Sequence, residues 1–189
     1  MTGVYIFLAE GFEITEGLTT TNILRRGGID AMTVSITDDY FVTSSNNTTV
    51  VTDLIFEEFC QESASETTTE RDVMIFPGGL PGSENLANHT ELIDMLKKHY
   101  EEGGTIAAIC AAPGLVLSQL PIEGRRMTCY PGFDDRLTAK GAIYTAEGTE
   151  TDGQFITGKG PGKAVEFGLA ILEKLEGKEK AEAIRAQLM

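Results

Sequence analysis

The sequence predicts an α/β protein: a doubly wound, mostly parallel sheet with helices on both faces, a three-layer sandwich formed by one domain spanning residues 1–189. Two observations predict it. Apolar runs rich in β-branched residues alternate with stretches of helical period. No internal repeat, proline-rich linker or shift in composition divides the chain.

The elements follow in order. Val4 to Ala9 reads as a buried strand, and Thr15 to Arg26 as a helix stopped by Gly27-Gly28. Ile29 to Ile36 returns as a strand. Tyr40 to Thr43 and Thr48 to Val51 form a small hairpin about the polar turn Ser44 to Asn47. The segment Gln61 to Glu70 lacks apolar periodicity and reads as a solvated loop. Asp72 to Phe76 is a strand ending in Pro77-Gly78-Gly79. Glu91 to Tyr100 is a helix with Leu92, Met95 and Leu96 on one face, and Thr105 to Ile109 a buried strand. Cys110 ends that strand, and Ala111 to Leu120 resumes as a helix with Pro113 in its first turn. Met127 to Tyr130, Ala142 to Thr145 and Gln154 to Thr157 read as short strands. Ala164 to Leu175 is an apolar-faced helix, Gly177 breaks it, and Lys178 to Leu188 is a final charged helix.

Composition narrows the function. The 189 residues suffice for one sizeable core, and 41% are hydrophobic. Fifteen Lys and Arg against 29 Asp and Glu give a formal charge of −14, which repels phosphate backbones and anionic lipids, so neither nucleic acid nor membrane is the expected partner. The opening MTGVYIFLAEGF has no basic segment before a long apolar core, and no apolar run reaches bilayer length, which predicts a cytoplasmic protein. Cys60, Cys110 and Cys129 are an odd set suited to reduced thiols. The two histidines, His89 and His99, fall at no zinc-site spacing, so no metal is expected.

Ligands of open parallel sheets sit beyond the carboxyl ends of the strands, where strand order reverses. Three segments deliver unusual residues there: Glu10 to Glu16, Pro77-Gly78-Gly79 and Ile109-Cys110-Ala111. In GTIAAIC followed by AAPGLVLSQL, a thiol stands at a helix amino terminus among small side chains, like a nucleophile elbow. The helix dipole would lower its pKa below the free value near ~8.5. By position alone Cys110 is equally a small buried hydrophobe. Gly78, Gly79 and the amide of Ala111 form either an oxyanion donor set or a plain tight turn. Glu16, in the first turn of a helix, reads alone as a solvated acid. GKGPGKA, Gly158 to Ala164, lacks both the first glycine and the hydroxyl residue of a phosphate loop and is rejected as a nucleotide site. Cys60 and Cys129 read as structural.

The runs MIFPGGLPGSENL, GGTIAAICAAPGLVL and ITGKGPGKAVEFGLAILEKLEGK, with LAEGFEITE at the first strand, resemble the ThiJ/PfpI family, within the branch of the parkinsonism-associated protein deglycase and its bacterial YajL-like relatives. The resemblance covers nearly the whole chain apart from Gln61 to Glu70. It implies a flavodoxin-like, class I glutamine amidotransferase-like domain, and a homodimer whose interface uses the first helix with Arg25 and Arg26. It also implies that Cys110 is the reactive cysteine, that Glu16 is a protonated carboxyl hydrogen-bonded to its sulfur, and that Gly78 and Gly79 line the anion pocket. Two positions depart from the family. Tyr130 stands where several members have a histidine, and a phenol titrating near ~10 cannot shuttle protons at neutral pH. Ala111 stands where the peptidase-like branch has a histidine, which argues against proteolysis.

The function expected is cofactor-free glyoxalase or deglycase chemistry on methylglyoxal or glycated adducts, catalysed by Cys110 and Glu16, with Gly78, Gly79, Ala111 and Tyr130 around the substrate. The alternative is a redox-sensing or chaperone-like stress protein whose Cys110 is oxidised to sulfinate.

Overall fold

The structure, a computed structural model, describes residues 1–63 and 67–188. In chain order its elements are β1 (Val4–Leu8), α1 (Ile14–Arg26), β2 (Ala31–Ser35), β3 (Phe41–Thr43), β4 (Thr49–Val51), β5 (Leu54–Ile55), α2 (Phe56–Ser63) and β6 (Val73–Phe76). Next come α3 (Gly82–Asn88), α4 (Thr90–Glu101), β7 (Thr105–Ile109), α5 (Ala112–Leu115), β8 (Arg126–Met127), α6 (Asp134–Thr138) and β9 (Ile143–Tyr144). The chain closes with β10 (Thr149–Asp152), β11 (Phe155–Gly158), α7 (Ala164–Glu176) and α8 (Lys178–Gln187).

The main sheet runs β10-β11-β7-β6-β1-β2-β5. Every pairing in it is parallel except that of the edge strand β10 with β11. Without the two-residue edge β5 and the antiparallel β10, the order is the flavodoxin-like one, and it reverses between β1 and β6. Alternate side chains of one strand enter two separate cores, as a parallel sheet covered on both faces requires. Ile6 and Leu8 face α1, α7 and α8 with Ile75, Ala107 and Ile156. Tyr5 and Phe7 face α2, α3 and α4 with Met74, Phe76 and Phe155. No described helix is long and apolar enough to cross a membrane.

The hairpin of β3 and β4 forms as expected, with Phe41 opposite Val51. The expected loop Gln61 to Glu70 is corrected in part. Gln61 to Ser63 complete α2, and 64–66 lie outside the described residues. Phe56, Phe59 and Ser63 are buried at helical spacing, so the polar Gln61 and Glu62 are only the outer face of an amphipathic helix. The expected helix from Ala111 to Leu120 breaks into the four-residue α5 and a 3-10 turn over Leu117–Gln119. The expected strand Met127 to Tyr130 pairs only through Arg126 and Met127, against Ile143 and Tyr144. Beyond it, Thr128 N–H donates to Thr157 Oγ1 (3.0 Å) and Tyr130 N–H to the Cys110 carbonyl (2.8 Å). Arg25 is engaged within its own chain: its Nε donates to the Ala31 carbonyl (2.9 Å) and its guanidinium pairs with Asp53.

Phe59 anchors α2 by meeting Tyr5 and Phe7 edge-on at 4.8 and 5.0 Å between ring centroids. Truncating it leaves a cavity in one of the two cores. Phe59→Ala is expected to destabilise the fold by about 3–5 kcal/mol, read as a lower urea midpoint at unchanged slope. A loss below about 1 kcal/mol would mean that α2 does not dock on the sheet as described.

Candidate functional site

The reversal of strand order leaves a crevice between the ends of β1 and β6, and the ends of β6 and β7 run side by side. The segment after β1 and the turn after β6 close on each other there, with Glu13 N–H donating to the Gly78 carbonyl at 2.8 Å. Gly79 lies at φ +89°, and a Cβ on it would come within 2.4 Å of Glu13 N. Only glycine allows this approach.

β7 delivers Cys110 directly beyond Ile109. The residue is held at φ +66°, a region that costs a non-glycine residue of order 1–3 kcal/mol and persists only where the surroundings enforce it. Its backbone is pinned on both sides: its N–H donates to the Gly158 carbonyl (2.9 Å) and its carbonyl accepts from Tyr130 N–H (2.8 Å). Cys110 as a whole is 9% exposed. The neighbouring amides of Gly79 and Ala111 favour its anion.

Glu16 comes from the first turn of α1 and is 0% exposed. Its position is fixed by Glu13, the N-cap residue, whose carboxylate accepts from Glu16 N–H at 2.8 Å. Glu16 Oε2 accepts from Gly78 N–H at 2.6 Å. Its Oε1 is buried with no hydrogen-bond partner among the described residues, and the Cys110 thiol shares the pocket. A Cβ on Gly78 would lie 2.5 Å from Cys110 Cβ, 3.0 Å from its sulfur and 2.6 Å from Glu16 Oε2. Gly78 is the space in which the two side chains meet.

The two groups titrate as a pair. Burial pushes the Glu16 carboxyl up to about 7, against the opposing pull of the Gly78 amide and the Cys110 thiol. Burial and the neighbouring Glu16 charge push the Cys110 thiol up to about 12, against the amides of Gly79 and Ala111. The first proton therefore leaves near neutrality, and the second stays because its loss would set two anions side by side. The expectation of a thiolate stabilised by a helix dipole is corrected here. α5 has only four residues, too short for a substantial dipole, so anion formation at sulfur depends on the carboxyl and the two amides.

Tyr130 meets the other site residues through its backbone. The residue is 48% exposed, and its ring packs against Gly160. Cys129 is fully buried among apolar side chains. The sulfur of Cys60 lies 3.8 Å from that of Met95. Among the described residues no group of three or more His, Cys, Asp or Glu side chains is placed to hold a metal ion. Sequence reasoning missed two contributors, Glu13 and Gly158. Glu13 had a signal, an acid three residues ahead of Glu16 as in a capping box; Gly158 acts through its carbonyl and had none.

Comparison with known proteins gives this arrangement a context. Residues 2–174 match the model of the DJ-1/PfpI family. The chain belongs to that family. It is 35% identical over 187 residues to protein DJ-1 homolog A of Arabidopsis thaliana, covering 98% of this chain and 46% of the plant protein. The chain thus spans about half the length of that relative. A glutathione-independent glyoxalase of Caenorhabditis elegans, DJR-1.2, is 32% identical, covering 93% of this chain and 89% of its own. The structure of oxidized Toxoplasma gondii DJ-1 superposes with a TM-score of 0.88 at 31% identity, over 100% of this chain and 98% of that one.

Holding a proton on Glu16 has a cost at higher pH. With its pKa raised in the folded state from 4.5 to about 7, its contribution to stability is complete below about 4.5 and is lost as pH rises through 7. The stability of the native protein relative to Glu16→Gln is expected to fall by about 3 kcal/mol across that window, measured by urea unfolding of both proteins at each pH. A difference independent of pH would place the Glu16 pKa near its ordinary value.

Proposed function

We propose that this DJ-1/PfpI protein is a cofactor-free glyoxalase or deglycase of the cytoplasm, acting as a homodimer on methylglyoxal or glycated adducts in defence against carbonyl and oxidative stress. One observation carries the reading. The buried carboxyl of Glu16 and the thiol of Cys110 meet over Gly78, at a backbone turn that holds Cys110 at φ +66°.

Glu16, as the carboxylate, takes the Cys110 proton as the sulfur adds to the aldehyde carbon of methylglyoxal, and then passes that proton to the new oxygen to give a hemithioacetal. Glu16, now a carboxylate, removes the hydrogen from that carbon and returns it to the adjacent carbon through an enediol, leaving a lactoyl thioester. Water hydrolyses the thioester, releasing lactate and restoring the thiol. The amides of Gly79 and Ala111 stabilise the oxyanions formed on the way. A pKa of about 7 on Glu16 suits a group that gives and takes a proton near neutrality.

A second reading rests on Oε1 of Glu16, which has no hydrogen-bond partner among the described residues. A proton held there would donate to an oxygen added to sulfur, stabilising a sulfinate formed by two equivalents of peroxide, each reduced to water. In that case Cys110 is a redox sensor, and turnover is incidental.

Lactate formation from methylglyoxal without glutathione separates the two. The enzyme reading expects activity that vanishes in Cys110→Ala and falls about 10²–10⁴-fold in Glu16→Gln. Native activity equal to that of Cys110→Ala would leave the sensor.

A further inference from the structure

The chain carries a formal charge of −14, yet two of its fifteen basic residues line one cavity whose wall adjoins the backbone of Cys110. The cavity, of about 340 Å³, is walled by Tyr130, Pro131, Lys159, Lys163 and the loop Gly160 to Gly162. Two of its wall residues flank Cys110. Tyr130 N–H donates to the Cys110 carbonyl, and Lys159 follows Gly158, whose carbonyl accepts from Cys110 N–H.

The lysines are poorly neutralised. Lys159 Nζ donates to the Ala146 carbonyl at 3.0 Å and has no carboxylate within 4 Å among the described residues. Lys163 meets Glu166 at 3.7 Å with both side chains over 40% exposed, a pairing of little strength. A Cβ on Gly162 would meet nothing within 4 Å, so the loop backbone there is open to a ligand. The 13-residue helix α7 begins directly after Lys163, and its amino end adds favourable potential for an anion. This segment lacks the residues of a nucleotide phosphate loop, and its chemistry suits a single small oxyanion held by point charges.

We infer that the Tyr130, Lys159 and Lys163 cavity binds the oxyanion of the substrate, so that the preferred substrates are α-oxoaldehydes bearing a phosphate or carboxylate group. The inference rests on the reading of Cys110 as the nucleophile. Bonding changes at the aldehyde are those given for methylglyoxal; the oxyanion is not transferred and leaves with the product, the corresponding α-hydroxy acid.

Two measurements on the full chain test it. The first is independent of turnover: backbone NMR shifts of residues 160–164 on titration with inorganic phosphate and, separately, acetate. The site expects saturable shifts for at least one of the two, weakened at least about tenfold in Lys159→Gln/Lys163→Gln. Absent shifts, or shifts equal in the variant, overturn it whether or not the protein turns over methylglyoxal. The second is the ratio of kcat/KM for an α-oxoaldehyde carrying a phosphate ester or a terminal carboxylate to that for methylglyoxal. The ratio should exceed unity and fall at least about tenfold in the double variant, with the better of the two anions identifying the group. A ratio at or below unity, or one unchanged in the variant, overturns the substrate assignment. Lysine-dependent phosphate binding without turnover of any aldehyde would keep the anion site and remove the enzyme reading.

Discussion

The proton shared between Glu16 and Cys110 is the constraint around which the rest of the site is arranged. A carboxyl and a thiol buried together cannot both ionise, so burial pushes both pKa values up and leaves one negative charge for two groups. That charge is divided between the Gly78 amide, which serves the carboxyl, and the amides of Gly79 and Ala111, which serve the sulfur. The donors are backbone groups, which need no side-chain ordering and do not titrate.

The fold supplies the contact by topology. Strand order reverses between β1 and β6, so α1 and the turn after β6 emerge around one crevice, with the end of β7 beside them. Glu13 fixes Glu16 on one side of it, and Gly158 and Tyr130 fix the strained backbone of Cys110 on the other. Gly78 stands between them because any side chain there would occupy the space the two groups share.

The sheet and its helices were legible because their apolar residues follow one period at a time: Val4 to Leu8 and Thr105 to Ile109 are buried without interruption, and α4 and α7 show a continuous apolar stripe. Polar faces hid other elements. Gln61 and Glu62 masked α2, and the edge strand β10, Thr149–Asp152, is largely polar because it covers no core of its own. Cys110 and the glycines after β6 stood out as chemistry at strand ends. Glu16 did not, since an acid in a first helical turn looks alike whether it is solvated or, as here, wholly buried; its place depends on a glycine 62 residues away. The thiol's raised pKa was equally hidden, because it follows from that burial and from the shortness of α5, neither of which appears in local sequence.

The most direct test of the shared proton is the protonation state of Glu16 itself, read from the carboxyl carbon in NMR of glutamate-labelled protein and assigned by its loss in Glu16→Gln. One glutamate signal is expected to remain protonated at a pH of about 6, where ordinary glutamates are ionised. If every glutamate signal instead titrates in the ordinary range near 4.5, Glu16 retains no proton and does not share one with Cys110.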